Sequence, residues 1–276
     1  MLHYLWLLPV GFLVGAFGTL IGAGGGFILA PLLLLLYPAE PPDIVTSISL
    51  AVACANATAG SYSYARKKRV DFRSGLLFSV ATVPGAILGA FATHVLPRAL
   101  FDGIFGGFLL LAAVFLLAYP KPKTQGPRKH RIRMFRHLVE ADGTPHDYAF
   151  NPAVGFVVSI LVGFVSSFLG IGGGIIHVPV LSYILDFPVH IATATSHFML
   201  AIMAFAGTVT HIATGAFHHG IRRAIVLGIG VVLGAPLGAR YSDRVEGRWI
   251  IRALAIALCL VGLRLIVLAF EAGQGV

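Results

Sequence analysis

Three adjacent glycines interrupt an apolar run twice in this chain, in Gly22-Ala-Gly-Gly-Gly-Phe-Ile-Leu-Ala-Pro-Leu-Leu33 and again in Gly170-Ile-Gly-Gly-Gly-Ile-Ile-His-Val-Pro-Val-Leu181. Both copies carry Gly-x-Gly-Gly-Gly, an Ile four residues after the second Gly and a Pro nine residues after the first. Each glycine costs a helix about 1 kcal/mol relative to alanine. A chain that accepts such a break twice, at matching points, is using the backbone that the break exposes.

The surroundings of the breaks set the class. Hydrophobic residues make up 57% of the 276 and charged residues 11%, with a mean hydropathy of +0.88. A soluble domain carries about 25% charge, so this chain cannot cover a water-facing surface. Its apolar runs are continuous, as in membrane helices, whereas a β-barrel would alternate. Ten apolar segments span residues 4–21, 25–37, 44–64, 74–93, 99–119, 152–169, 173–186, 189–213, 221–240 and 249–270. The expectation is an all-α, polytopic membrane protein of the bacterial inner-membrane type, with residues 4–21 starting the first helix and not a removed signal peptide. Cys54 and Cys259 both lie in apolar runs, which argues against a disulfide.

The halves match. At an offset of 148, Gly15 meets Gly163 and Pro31 meets Pro179; at 149, Thr46-Ser47 meets Thr195-Ser196, Gly85 meets Gly234 and Gly89 meets Gly238. The chain divides into a first membrane repeat (1–119), a basic cytoplasmic linker (120–150) and a second membrane repeat (151–276). Within the linker, residues 128–139 fit either a short basic amphipathic helix or a solvated segment.

Run 4–37 as one helix would be about 50 Å long, too long for a hydrocarbon core of about 30 Å. Broken at the glycines, it can enter and return as two short legs. Each repeat then has five elements, and the second must be inverted relative to the first. That topology puts 16 of the 20 Lys and Arg on the cytoplasmic side and three outside, against 14 and five for a parallel arrangement. The formal charge of +9 therefore reflects membrane orientation, and nucleic acid is excluded as a partner.

A helix that starts inside the bilayer leaves its first amides without acceptors and a partial positive charge at its end. Irregular backbone survives there only where it lines a cavity or binds something. Gly24, Gly25 and Gly26, with Gly172, Gly173 and Gly174, would supply two such ends and let backbone amides approach an oxyanion closely. Packing motifs need Gly at every fourth residue, as in Gly11-x-x-x-Gly15 and Gly85-x-x-x-Gly89. Thr46, Ser47, Thr195 and Ser196 could donate to the same anion or satisfy neighbouring carbonyls. The copies lack the Lys-Ser/Thr of a phosphate-binding loop.

The doubled Gly-x-Gly-Gly-Gly-x-x-x-x-Pro, each copy followed by Thr-Ser and then Gly-x-x-x-Gly, resembles the TauE/SafE (sulfite exporter) family of membrane permeases over nearly the whole chain. The resemblance implies secondary transport of sulfur-containing anions such as sulfite, sulfonates or thiosulfate, or of organic acids, and does not single out one substrate. An enzyme is not expected, since the sequence has no nucleophile–base–orienter set or metal signature. The partners would be this anion and the lipid bilayer, with homo-oligomerisation left open. No cofactor is expected, and coupling to a proton or ion gradient stays open.

Histidine gives this chain features of its own. His177 stands where the first copy has Leu29, and His197 directly follows Thr195-Ser196. His190, His197, His211 and His218 are spaced by 7, 14 and 7, within about 80° on one helical face. No Asp or Glu lies at the centre of an apolar segment, so histidine is the side chain placed to titrate or to meet the anion. The stripe also motivates the alternative, a divalent cobalt- or nickel-type transporter with imidazole ligands. Ligands seven apart are about 10 Å apart along a helix, too far for one ion.

Overall fold

The computed structural model describes residues 4–118, 134–242 and 248–273. The first half holds α1 (Leu7–Ile21), α2 (Gly26–Leu36), α3 (Pro42–Arg66), α4 (Phe72–Val95) and α5 (Arg98–Leu117). Strands β1 (Met134–Val139) and β2 (Pro145–Phe150) follow. The second half holds α6 (Pro152–Leu169), α7 (Gly174–Pro179), a π-helical turn (Val180–Ile184), α8 (Val189–Ala213), α9 (Ile221–Tyr241) and α10 (Arg248–Gly273).

Seven of these helices are long and apolar enough to cross a membrane, namely α3, α4, α5, α6, α8, α9 and the Leu254–Glu271 part of α10. Leu7–Ile21, Gly26–Leu36 and Gly174–Ile184 are apolar but shorter. The all-α, polytopic membrane class expected from composition is the class observed. Cys54 and Cys259 are free thiols.

The helices pack in close pairs: α1 with α9, α4 with α6, α5 with α10 and α3 with α8. Missing side chains make the approach possible. Gly11 and Gly15 lie against the backbone of Leu227 and Val231, and Gly85 and Gly89 against that of Ile160 and Phe164. These two Gly-x-x-x-Gly motifs are therefore packing surfaces. The order of the contacts also gives directions. The contacts Gly11–Leu227 and Gly15–Val231 make α1 parallel to α9, and Gly85–Ile160 and Gly89–Phe164 make α4 parallel to α6. Gly60 beside His197 and Leu50 beside Gly207 make α3 antiparallel to α8; Gly103 beside Ala269 and Gly106 beside Gly262 do the same for α5 and α10.

These directions position the two breaks. Helix α1 starts beside the first part of α9, runs inward and stops. Helix α2 then returns to the same end, where the Arg223 guanidinium lies 4.5 Å from the centre of the Tyr37 ring and pairs with Glu40 at 2.7 Å. Arg98 holds that end too, through the carbonyls of Leu34 and Glu40 and the carboxylate of Asp102. Helix α6 starts near Phe78 of α4. The α7 leg returns to Phe187, which packs on Tyr148 and Phe150 of the strands. Lys67 joins this second end to the last turn of α9 through the Ala239 carbonyl, 2.7 Å away. The two re-entrant legs therefore open to opposite ends of the bundle.

The linker differs from its expected form. Residues 134–139 are a strand, paired antiparallel with β2 from Met134–Phe150 to Val139–Pro145, and not an amphipathic helix; residues 128–133 lie outside those described. Asp142-Gly143 explains the strand. Gly143 takes φ = 90°, the left-handed conformation that a tight hairpin turn requires and glycine adopts without strain. The hairpin docks on the ends of α3 and α4. Tyr148 Oη donates to Asp71 Oδ2 at 2.8 Å, Arg136 Nε donates to Ser74 Oγ at 3.1 Å, and Glu140 accepts from Arg69 Nε at 2.5 Å. Burial and the neighbouring Asp71 carboxylate push the Tyr148 phenol well above the usual tyrosine range, so it remains a donor.

Candidate functional site

The two glycine breaks meet backbone to backbone inside the bundle. A Cβ on Gly26 would lie 2.7 Å from the Ile171 carbonyl oxygen, and one on Gly174 would lie 2.6 Å from the carbonyl carbon of Ala23. Ser49 of α3 ties the pair together, its hydroxyl donating at 2.6 Å to the Gly170 carbonyl and reaching that of Gly26 at 3.4 Å. The Leu200 side chain rests against both Gly24 and Gly172. Gly25 (φ = 74°) caps α2 and Gly173 (φ = 70°) caps α7. A side chain in that region costs about 1–2 kcal/mol, which is why the sequence places glycine there.

The breaks leave donors over. Ala23 and Gly24 donate to Gly18, and Gly26 donates to Gly24; Gly174 likewise donates to Gly172. The amides of Gly25 and Phe27 in the first break, and of Gly173 and Ile175 in the second, have no backbone acceptor. All six glycines of the two triplets are buried. The breaks thus hold buried donors of the kind that native structures pair with a ligand, water or side chain.

Side chains around each break are polar and also short of partners. By the second break, a Cβ on Gly173 would lie 2.9 Å from Ser166 Oγ and 3.3 Å from His177 Nδ1. Ser166, Ser167, His177 and Ser196 are fully buried, and their side-chain polar atoms have no hydrogen-bond partner. By the first break, a Cβ on Gly25 would lie 3.2 Å from Asn56 Nδ2, which is also unpartnered. His197 sits in this neighbourhood, its ring fitted against Gly60 and edge-on to Tyr64 at 5.5 Å. The carbonyls of Gly22 and Thr193 are near the imidazole, outside hydrogen-bonding geometry.

The Thr-Ser pairs divide. Thr46 and Ser47 donate to the carbonyls of Asp43 and Ile44, and Thr195 accepts from the Asp71 amide at 3.1 Å. Thr46 and Ser47 thus bond carbonyls of their own helix, and Thr195 receives the Asp71 amide. The histidine stripe does not persist as one face: α8 ends at Ala213, and His218 lies in the 3₁₀ turn Ala216–His219. His197 and His211 are buried, whereas His190 and His218 are exposed. Among the described residues no three of His, Cys, Asp and Glu converge in a cluster able to hold a metal ion.

Ser49 and Asn56 were not singled out by the sequence. Ser49 corresponds to Phe198 and Asn56 to Phe205, so matching the halves passes over both.

Such an architecture, with broken helices meeting in the core of a helical bundle, defines a polytopic membrane protein built around a buried polar centre. The chain belongs to the sulfite exporter TauE/SafE family, whose sequence model matches residues 7–265, and it is a membrane transporter. The probable membrane transporter protein YunE of Bacillus subtilis is 30% identical over 96% of this chain and 98% of its own length. A probable membrane transporter protein of Methanocaldococcus jannaschii is 22% identical over 95% and 96%, and one of Xylella fastidiosa 29% over 86% and 82%. No solved structure matches the chain.

Proposed function

We propose that this protein is a secondary transporter of a small oxyanion, sulfur-containing as the family's description suggests, held at the two glycine breaks. One observation carries the reading: both breaks are buried, touch each other, and leave amides without a backbone acceptor beside Asn56 Nδ2 and the side chains of Ser166, His177 and His197, whose polar atoms have no partner. Buried donors with no acceptor suit an anion that brings its own oxygens. The cobalt- or nickel-type reading gains no support from the separated histidines.

The halves 1–119 and 151–276 act as inverted repeats around this centre, with 120–150 as a cytoplasmic linker. The antiparallel pairing of α3 with α8 and α5 with α10, and the legs opening to opposite ends, support that reading. Alternating access would then rock one repeat against the other about a fixed site.

Proteoliposomes test the function directly. Wild-type protein should give saturable sulfite flux, and Gly173→Val, which drives side-chain atoms toward Ser166 and His177, should abolish it while the protein still reaches the membrane. Equal flux in the variant would refute a site at the breaks.

A further inference from the structure

We propose that Asn56 is the residue through which the first half recognises its ligand, and that this site selects an oxyanion bearing a single charge. The inference rests on the proposed anion transport and adds to it a contact residue and a charge class.

Asn56 is 0% exposed, yet its amide nitrogen has no partner, while its carbonyl oxygen accepts from Thr19 Oγ1 at 3.1 Å. That bond orients the side chain, since the oxygen is fixed on Thr19 and the NH₂ is left facing Gly25. Thr19 is held in turn, because Tyr64 Oη donates to its carbonyl at 2.8 Å. Thr19 and Tyr64 are thus positioning residues for a donor placed 3.2 Å from where a Gly25 Cβ would be. The same wall carries the unpaired amides of Gly25 and Phe27 at the start of the 11-residue α2, and the unpartnered His197 ring. A buried amide held by a relay and left without an acceptor needs explanation, and an anion oxygen supplies one.

Charge sets the class. Asn56, Thr19 and Tyr64 are neutral, His197 is counted here as the neutral imidazole, and the helix end offers about half an elementary charge. That suffices for one negative charge shared over several hydrogen bonds. A second charge would be buried there with no full counter-charge. The second half does not repeat the device, since Asn56 is matched there by Phe205 and the neighbours of Gly173 are Ser166, the methyl of Met203 and His177. Each half therefore contributes its own contacts.

Sulfate and methanesulfonate are the probes, alike in shape but with two charges and one. The purified full chain in lipid nanodiscs should bind methanesulfonate at least tenfold more tightly than sulfate. Asn56→Leu removes the orphan donor and, with it, the acceptor of Thr19 Oγ1, so one buried orphan replaces another and the ligand-free melting temperature should stay close to wild type, while methanesulfonate weakens about 10- to 150-fold, the worth of one hydrogen bond to a charged group. Asn56→Asp keeps the acceptor for Thr19 and should also lose binding. Thr19→Val should weaken binding, and Thr19→Ser should restore it. Wild-type affinity in both Asn56 variants would overturn the assignment while leaving anion transport standing. Equal affinity for sulfate would overturn the single-charge class. If wild type bound none of sulfite, methanesulfonate and sulfate, the anion reading itself would fall.

Discussion

Replacing Gly26 with alanine isolates the contact between the two breaks. Gly26 lies in ordinary helical backbone, so the added methyl brings no φ strain of the kind present at Gly25. It would come to 2.7 and 2.8 Å from the oxygen and carbon of the Ile171 carbonyl and 3.2 Å from the Gly170 oxygen. Normal contact begins near 3.4 Å, and both obstacles are backbone, which cannot swing aside as a side chain can. The breaks must therefore part by roughly 0.7 Å, a loss from overpacking of about 1–3 kcal/mol. Gly107→Ala is the control, since nothing lies within 4 Å of its would-be methyl and the helix gains about 0.5–1 kcal/mol. Thermal unfolding in nanodiscs should show Gly26→Ala destabilised and Gly107→Ala unchanged or stabilised. Sulfite flux should fall only in the former. If Gly26→Ala matched the control in both assays, close apposition of the breaks would not be needed.

Further outcomes follow from other contacts. Gly25→Ala should cost about 1–2 kcal/mol from its left-handed backbone and lose flux, read by unfolding and vesicle uptake. His177→Gln should flatten whatever pH dependence methanesulfonate flux has, an anion that does not itself titrate near neutral pH; a persistent response would clear that histidine. Tyr148→Phe removes the donor to the buried Asp71 and should loosen the hairpin by about 1–3 kcal/mol, seen as faster amide exchange over 134–150. Since docking raises the Tyr148 pKa, this attachment is fully present below the free-tyrosine value near 10 and weakens as the pH rises above it, because the detached phenol ionises first. Protection of the hairpin amides, taken relative to their base-catalysed intrinsic exchange, that stays constant from pH 8 to pH 11 would contradict that account.

Continuous apolar runs in the sequence marked every helix to within a few residues, because crossing a bilayer leaves the chain little freedom. The two glycine triplets stood out for the same reason. That they would touch was a tertiary fact, decided by which helices carry small residues on facing surfaces. The strand 134–139 escaped because six residues with apolar positions on either side suit both periods, and Asp142-Gly143 was the signal that distinguished them. Asn56 escaped because it stands alone in its helix, and its meaning comes from Thr19, 37 residues away. For Thr46, Ser47 and Thr195, matching positions in two halves did not reveal the backbone groups their hydroxyls bond, which the fold alone decides.

The most direct measurement is of the break amides themselves. Protein labelled with ¹⁵N-glycine and placed in lipid bilayers should show Gly25 and Gly173 amide signals moving downfield in saturable fashion as sulfite is added. Gly107 and Gly228, which face open space in their helices, should stay still. Saturable sulfite flux with unmoved Gly25 and Gly173 signals would contradict an anion held at the breaks.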